Sequence, residues 1–196
     1  MRKETAMALT KKAFRQLQIP RMAEFAKTPA FTKESHRLQD QLLAYLTRHP
    51  QGSVGLTMSG GIEVPTEPLL TALLAAGRPV LLPKTFSDRT MHFVPYHGQA
   101  AELARTDYGI LEPVADADEV PAIVVVPGIA FVRGSHARVG FGAGYYDRYL
   151  AARGSAIRHT VTMATSVMLF NAPTWRVAAH DVAVDTLLEG KQPNER

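Results

Sequence analysis

The 196-residue chain contains no cysteine. This absence excludes disulfide frameworks, thiolate metal sites and cysteine nucleophiles. Disulfides form in oxidising compartments, and a chain without cysteine has no need of such a compartment. The reducing cytosol is therefore the expected location. A chain of this length can bury roughly 70% of its unfolded surface, so it needs no covalent staple. We expect a single domain over residues 1–196, with a loose tail at 190–196.

Long apolar runs are also missing. The most apolar stretch, AIVVVPGIAFV at 122–132, is interrupted by proline and glycine. The amino terminus has basic residues but no continuous apolar segment of signal-peptide length. The sequence therefore predicts a soluble, unprocessed cytoplasmic protein with no membrane partner.

The positive charge is concentrated at one end of the chain. Residues 1–50 hold ten Lys or Arg against four Asp or Glu, a balance of +6, so the remaining residues carry −2 of the net +4. Such a bias suits an anionic partner, although a solvated helix face is the more common explanation. No arginine-rich run or stripe of basic and aromatic residues favours nucleic acid, so we expect a small anionic ligand instead.

Helical patterns dominate the first third of the chain. An apolar face over roughly residues 4–18 predicts an amphipathic helix ended by Ile19-Pro20. A second helix is predicted from a cap at Thr32 to His49-Pro50. A third is predicted from about Thr66 to a glycine stop at Gly77.

Strand patterns alternate with helices in the rest of the chain. Strands are predicted at 53–58, at PVLLP, at 90–96, at 122–127, at 157–163 and at 181–188, and YYDRYLAAR (145–153) is predicted to be helical. The strand, helix, strand order around the third helix provides the crossover that parallel pairing requires. The pattern predicts a three-layer α/β/α domain with a mostly parallel sheet.

The stretch RVGFGAGYYDRYL (138–150) carries glycines at Gly140, Gly142 and Gly144, where neither a strand nor a helix favours them. Glycines bring backbone N–H groups close to a ligand, and the following helix adds its positive dipole end, so the stretch can hold a phosphate. It is predicted to lie beyond the carboxyl end of strand 122–127, where open α/β sheets bind ligands. The spacing matches neither the P-loop nor the dinucleotide fingerprint, so a tight packing turn is an equal alternative on the glycines alone.

Two charged neighbours favour the phosphate interpretation. Arg138 can neutralise phosphate oxygens, and Asp147 can hold Mg²⁺ against a nucleotide. The competing interpretation is that Asp147 only complements the helix dipole and that Arg148 is a solvated surface charge.

Taken together, VPGIAFVRGSHARVGFGAGYYDRYL resembles the signature of the 5-formyltetrahydrofolate cyclo-ligase (methenyltetrahydrofolate synthetase) family. TKKAF with Arg15, LTMSGGIEVPT, VLLPK, MHFVPY, YGILEP and HDVAVD extend the resemblance over most of the chain. The resemblance implies a NagB/RpiA/CoA-transferase-like fold.

It also implies a set of site residues. Lys11, Arg15 and the stretch from Arg138 to Tyr146, including Gly140, Gly142, Gly144 and Tyr145, would bind ATP, and Arg138, Tyr145 and Asp147 would be catalytic. Leu56, Met58 and Glu63 would bind the folate together with Gly142, Gly144 and Tyr145. Asp147 and Asp181 would hold Mg²⁺.

The activity implied by the resemblance is a ligase reaction that uses ATP and Mg²⁺ to convert 5-formyltetrahydrofolate into 5,10-methenyltetrahydrofolate, releasing ADP and phosphate. Phosphorylation of the formyl oxygen would turn it into a leaving group, and the second folate nitrogen would then close the ring. Such a reaction needs positioning and charge neutralisation more than a protein nucleophile. We expect a monomer or weak homo-oligomer.

Two alternatives stay open at this stage. Phe131-Val132 stands where the family usually has Phe-Asp, and the stretch 164–176 lacks an expected glutamine, which leaves room for a noncatalytic folate- or nucleotide-binding paralogue. A basic nucleic-acid-binding domain is the other, because of the positive amino-terminal region. Each site residue taken singly also has an ordinary structural explanation, such as a solvated lysine or a core methionine.

Overall fold

A computed structural model describes residues 8–107 and 109–191. The helices in this part of the chain are α1 (Lys11–Ala26), α2 (Pro29–Arg48), α3 (Glu67–Ala75) and α4 (Tyr145–Arg153). The strands are β1 (Val54–Gly55), β2 (Val80–Thr85), β3 (Met91–Tyr96), β4 (Leu103–Arg105), β5 (Leu111–Pro113), β6 (Ile123–Val125), β7 (Ala130–Val132), β8 (Arg138–Val139), β9 (His159–Ala164), β10 (Leu169–Phe170) and β11 (Thr186–Glu189). The predicted helical residues 4–7, Tyr108 and positions 192–196 of the predicted loose tail lie outside the described residues.

The main sheet has the strand order β11-β9-β6-β1-β2-β3. Its neighbours pair in parallel except β2 and β3, which form an antiparallel hairpin. Strand β1 pairs with β2 through Val54 and Val80, as the strand, helix, strand pattern predicted. The expected α/β class with a mostly parallel sheet is therefore confirmed.

Apolar cores cover both faces of this sheet. Along β2, Val80 and Leu82 point into a core formed with α2 and α3, whereas Leu81 points into a core formed with α1 and α4. The side chains of β6 also alternate between the two cores, and Val124 points into the α1/α4 core. Because successive strand side chains point to opposite faces, a continuous apolar run of this kind serves two cores at once.

A close backbone approach occurs at the middle of the sheet. A Cβ atom at Gly55 would lie 2.7 Å from Cε1 of Phe93 and 2.8 Å from Cγ of Pro121. Phe93 is fully buried, and its ring meets the ring of Tyr149 of α4 at a centroid distance of 5.1 Å. The central strand is thus packed, through a single aromatic side chain, against the helix that follows the glycine stretch.

The sequence pattern predicted that the glycine stretch lies directly beyond the main-sheet strand at 122–127. This prediction was wrong. Between β6 and α4 the chain forms the antiparallel pair β7 and β8, and β10 adds to β7 in parallel to make a separate three-stranded sheet. These strands have only two or three residues each, which is too short for a periodic sequence signal. The glycines therefore follow β8 of the small sheet.

Two other strand predictions need correction. The strand predicted at 53–58 is reduced to Val54–Gly55, and the last strand begins at Thr186 and not at 181. Residues 181–185 instead form hydrogen bonds with other segments of the chain. Asp185, for example, accepts hydrogen bonds from the N–H and the hydroxyl of Thr160 at 2.7 and 2.8 Å. Alternation of apolar residues was therefore misread as strand.

Helix α1 runs through Pro20, where the sequence predicted its end. An interior proline removes one hydrogen bond and crowds the preceding turn. The helix continues because tertiary contacts on both sides of Pro20 hold it: Met22 is buried, and the buried amide of Gln18 donates to the carbonyls of Ile129 and Val167 at 3.0 and 2.9 Å. Tertiary packing here outweighs local propensity.

Helix α2 begins earlier than predicted. Thr28 is its N-cap, with Oγ1 accepting from the N–H of Phe31, and Pro29 occupies the first turn. Thr32, the predicted cap, is an exposed residue inside the helix. The cap was missed because proline directly after threonine is itself a helix-start signal that we attributed to a loop.

We expect Thr28→Ala to lower the free energy of unfolding by about 1 kcal/mol, since it removes the capping acceptor and the 2.7 Å hydrogen bond from Thr28 to the carbonyl of Phe25. Thr32→Ala is the matched control and should be close to neutral, because alanine favours helix interiors. Urea unfolding of both variants checks this. Equal losses would mean that Thr28 does not cap the helix.

Candidate active site

The turn between β8 and α4 has an unusual backbone. Gly142 has φ of 130° and Gly144, the N-cap of α4, has φ of 73°, conformations that residues with a Cβ rarely adopt. No side chain caps the amino end of α4. Its first backbone N–H groups and the positive end of the helix dipole are thus open to an anion. We call residues 140–144 the glycine turn.

Basic side chains from distant parts of the chain surround the glycine turn. Arg15 lies one helical turn after Lys11 on α1, and its Nε donates to the carbonyl of Gly140 at 2.8 Å. A Cβ at Gly142 would come within 3.5 Å of the Arg15 guanidinium. Arg138 precedes the turn on β8 and is only 4% exposed. Buried and half-buried cations of this kind attract negative charge more strongly than solvated ones.

Arg138 is fixed by a buried network. Its Nη2 donates to Asp147 Oδ1 at 2.8 Å, and its Nε donates to the carbonyl of Val182 at 3.2 Å. The N–H of Val182 in turn donates to the same Asp147 oxygen at 3.2 Å. Burial lowers the pKa of Arg138, against the opposing effect of the Asp147 charge. The network joins β8, the first turn of α4 and the segment that precedes β11.

Lys11 and Asp181 form a second ion pair beside the first. Asp181 also accepts from the N–H of Ala178 at 2.7 Å. Burial acts to raise the pKa of Asp181, but the hydrogen bonds from Lys11 and Ala178 outweigh it and hold that pKa below its usual range. Each of the two acids in this region is therefore paired with a cation.

The two carboxylates of this region, Asp147 and Asp181, suit a metal ion that arrives bound to a nucleotide better than a metal ion held by the protein alone. Within residues 8–107 and 109–191 there is no cluster of three or more acidic or histidine side chains that could hold a metal ion alone. Asp147 and Asp181 both act on Arg138 electrostatically, so they share one region. Mg²⁺ at phosphate sites uses one or two carboxylates, with water and phosphate oxygens filling the other positions. These two acids fit that arrangement.

A small cavity of ≈ 40 Å³ lies at the carboxyl ends of three parallel strands. The residues that line it follow β1, end β6 or end β9, together with Met168 from the connection after β9; they are Leu56, Thr57, Ser59, Glu63, Val64, Thr66, Val125, Val126, Pro127, Gly128, Thr162, Met163 and Met168. This is the edge at which open α/β sheets bind ligands. Of the predicted folate-binding residues, Leu56 and Glu63 line the cavity; Met58 is half-buried and packs against the α2/α3 core instead.

Glu63 is held at the cavity by the turn that follows β1. Its Oε2 accepts from the N–H of Gly60 at 2.9 Å, and Ser59 and Thr66 close the same turn by reciprocal hydrogen bonds of 2.9 and 3.0 Å. Burial raises the pKa of Glu63, and the Gly60 hydrogen bond offsets part of that rise. A carboxyl group with a raised pKa, lining a cavity, is typical of a functional site.

This shift predicts a pH-dependent stability. Because the folded-state pKa of Glu63 is raised, its contribution is fully present below the unfolded pKa and is lost as pH rises through the folded pKa. Glu63→Gln stays neutral, so the free energy of unfolding of the variant relative to wild type should increase as the pH rises above about 4, the usual glutamate pKa. Urea unfolding at several pH values measures it. A pH-independent difference between Glu63→Gln and wild type would contradict the prediction.

Tyr145 and Tyr146, the first two residues of α4, have different surroundings. The hydroxyl of Tyr146 is buried and has no partner among the described residues. Burial raises the pKa of Tyr146, and the charge of Glu63 raises it further, whereas the charge of Arg138 lowers it. Tyr145 donates its hydroxyl hydrogen to the carbonyl of Phe86 at 3.3 Å, on the β2–β3 turn.

The sequence analysis did not predict the contacts that Arg148 makes near the site. Arg148, interpreted as a possible solvated charge, donates to the carbonyls of Ala143 and Arg89 at 2.6 and 3.0 Å. The signal that could have indicated it is its spacing, since a residue four positions after an N-cap glycine lies directly above the turn. The contact to Arg89 has no sequence signal, because the two residues are 59 positions apart.

These features define an α/β protein whose parallel sheet holds a small cavity at its carboxyl edge, beside a glycine turn ringed by cations. The model of the 5-formyltetrahydrofolate cyclo-ligase family matches residues 8–189. This match covers well over half of the chain, and the chain therefore belongs to the 5-formyltetrahydrofolate cyclo-ligase family. In the described residues, no helix combines the length and apolar character needed to cross a bilayer.

Individual relatives agree with this assignment. A protein named probable 5-formyltetrahydrofolate cyclo-ligase from Schizosaccharomyces pombe is 30% identical over 95 residues, 45% of this chain and 46% of that protein. The 5-formyltetrahydrofolate cyclo-ligase of Escherichia coli K12 is 35% identical over 105 residues, 50% of this chain and 57% of that protein. The chain thus spans about half the length of these two curated relatives.

A solved structure supports the architecture. The 5,10-methenyltetrahydrofolate synthetase of Mycoplasma pneumoniae matches with a TM-score of 0.67 at 20% identity, over 92% of this chain and 99% of that one. At this identity the likeness concerns the fold.

Proposed function

We propose that this protein catalyses the ATP- and Mg²⁺-dependent cyclisation of 5-formyltetrahydrofolate to 5,10-methenyltetrahydrofolate, with release of ADP and phosphate. The observation that carries the proposal is the contact of Arg15 with Gly140 and the position of the buried Arg138 just before the glycine turn, with the Lys11–Asp181 pair in the same region, next to a cavity at the carboxyl edge of the sheet. A phosphate site and a site for an uncharged ring system are thus adjacent, as a transfer from nucleotide to folate requires.

The phosphate side of the proposal rests on charge. Lys11, Arg15 and Arg138 would hold the triphosphate, and the open amino end of α4 would add backbone donors. Asp147 and Asp181 would hold Mg²⁺, which supplies charge neutralisation at the transferring phosphate. Because the transferring group carries most of the developing charge, these residues would stabilise the transition state without becoming covalently modified.

The folate side rests on the cavity. Leu56 provides an apolar wall and Glu63 a polar edge, which suits a flat heterocycle with ring nitrogens. The cavity as it stands is smaller than a pterin, so the walls must separate when folate binds. Met58, which follows β1, would be reached by such opening, and Tyr145 with Gly142 and Gly144 would contact the same ligand from the glycine turn.

In the proposed reaction, the formyl oxygen attacks the γ-phosphorus and the bond to ADP breaks. The second folate nitrogen then attacks the formyl carbon and releases its proton to solvent, the carbon–oxygen bond breaks, and phosphate leaves as the ring closes. Arg138 and Lys11 would balance the charge that moves from nucleotide to leaving phosphate. Tyr145 would orient the folate for ring closure.

The departure at Val132 has a structural explanation. Val132 is 3% exposed in β7 and belongs to the α1/α4 core, so its apolar side chain contributes to packing. It does not line the cavity. The finer assignments, a NagB/RpiA/CoA-transferase-like fold, a cytoplasmic location and the absence of a nucleic-acid partner, form part of the same proposal.

The decisive experiment follows the absorbance of the methenyl product after purified protein is mixed with 5-formyltetrahydrofolate and Mg-ATP. We expect an increase that requires both ATP and metal and that is matched by ADP release. Omitting ATP, omitting metal and heating the protein are the controls. Folate binding by calorimetry with no absorbance increase and no ADP would replace the proposal with a noncatalytic binding role; salt-sensitive oligonucleotide binding would indicate the nucleic-acid alternative.

A further inference from the structure

The glycine turn is held from both sides by guanidinium groups. Arg15 donates to the carbonyl of Gly140, and Arg148 donates to the carbonyl of Ala143. In a trans peptide the C=O and the N–H that follows it point in opposite directions. The N–H groups of Phe141 and Gly144 are therefore directed away from the two cations. Neither donates to a group in the described part of the chain.

Arg148 also fastens the turn to a second, separate loop. Its Nε donates to the carbonyl of Arg89 at 3.0 Å, in the turn between β2 and β3. The Tyr145 hydroxyl donates to Phe86 of the same turn, and the Arg148 guanidinium lies 5.8 Å from the Tyr145 ring centre. One side chain thus bridges two loops that are distant in sequence.

The β2–β3 turn is a firm support for this bridge. The N–H of Phe86 donates to Thr90 at 3.0 Å, and the N–H of Arg89 donates back to Phe86 at 3.0 Å. Asp88 accepts from both the N–H and the hydroxyl of Thr90, at 2.9 and 2.6 Å. Arg89 itself has φ of 69°, so its carbonyl has a fixed and unusual direction.

We propose that Arg148 is a positioning residue for nucleotide binding: by joining the carbonyl of Ala143 to that of Arg89, it fixes the peptide between Ala143 and Gly144 so that its N–H is presented to phosphate. This inference rests on the proposed function. Preorganised backbone donors bind an anion without the cost of ordering a flexible glycine loop, and Gly144, lacking a Cβ, lets the guanidinium approach to 3.1 Å of where that atom would stand.

The test compares three variants of the full-length protein. Arg148→Gln cannot span both carbonyls and is expected to raise the dissociation constant for Mg-ADP about tenfold, the equivalent of one lost charge-assisted hydrogen bond. Its affinity for 5-formyltetrahydrofolate should fall far less, because Leu56 and Glu63 line the cavity outside the glycine turn. Arg148→Lys, which keeps the positive charge but has a single donor nitrogen, should be intermediate. Arg153→Gln is the matched control, because Arg153 is on the same helix and pairs with Asp118 away from the turn.

We would measure the affinities for Mg-ADP and for folate by calorimetry, and the NMR chemical shift of the Gly144 amide. Together these measurements separate the outcomes. A nucleotide-specific loss in Arg148→Gln, with a shifted Gly144 amide and partial rescue by lysine, is the expected result. Equal nucleotide affinity in Arg148→Gln and Arg153→Gln would overturn the positioning role. So would parallel losses of nucleotide affinity, folate affinity and melting temperature. Wild-type protein that binds no nucleotide at all would overturn the proposed function itself.

Discussion

Arg138→Lys is expected to lower turnover by roughly 10³-fold while the protein remains folded, because an arginine that neutralises a transferring phosphoryl group contributes at least that much. Lysine keeps a buried positive charge beside Asp147, which avoids leaving that carboxylate unpaired. It cannot reproduce the two separate bonds to Asp147 and to the carbonyl of Val182. Steady-state rates with saturating folate and ATP measure the effect.

The control for this variant is Arg133→Lys. Arg133 follows β7, and its Nε lies 3.0 Å from a Glu189 carboxylate oxygen in an exposed ion pair. Exposed pairs contribute little, so turnover should be unchanged. Thermal melts of both proteins test whether they are folded. Normal turnover in folded Arg138→Lys would remove Arg138 from the proposed phosphate site.

Asp181→Asn is expected to change metal dependence and nucleotide affinity in opposite directions. Loss of a carboxylate ligand should raise the Mg²⁺ concentration needed for activity by about 10- to 100-fold. The same substitution releases Lys11, which is otherwise paired with Asp181. Lys11 is then free to attract phosphate, so metal-free ADP should bind more tightly than it does to wild type.

Titrations of ADP with and without Mg²⁺, by calorimetry, test both parts. Lys11→Met serves as the reciprocal variant, and it should weaken ADP binding in either condition. Combining the two substitutions should abolish the gain seen in Asp181→Asn alone, since that gain depends on Lys11. Unchanged metal dependence in Asp181→Asn would show that Asp181 serves only to hold Lys11.

Local features of the fold were predictable from the sequence, and the pairings between distant segments were not. The start of α4 at Tyr145 and its end at Arg153 match the predicted helix, because a glycine N-cap and a helical run are both local signals. The parallel pairing of β1 with β2 followed from the helix between them. By contrast, β7 and β8 are too short to show a sequence period. Helix α1 continues past Pro20 because Gln18 contacts residues more than a hundred positions away, and no local signal indicates those contacts.

The candidate site shows the same limit. The residue types around the glycine turn were identified, but the partners were not: Lys11 meets Asp181 across 170 residues, and Arg138 bonds to the backbone of Val182. The sequence alone gave no reason to expect that the two acids proposed for Mg²⁺ would each be paired with a cation. The folded arrangement shows these two ion pairs, and under the proposed function they would have to exchange partners when a metal nucleotide binds.

The contact of Gly55 with Phe93 restricts which sequences can support this chemistry. A side chain at position 55 would displace Phe93, and Phe93 supports Tyr149, four residues after the first residue of α4. The displacement would therefore reach α4, and the glycine turn before it, through the core on the same face of the sheet. An inherited or engineered side chain at this position would overpack the centre of the sheet, so we expect it to lower the free energy of unfolding as well as turnover.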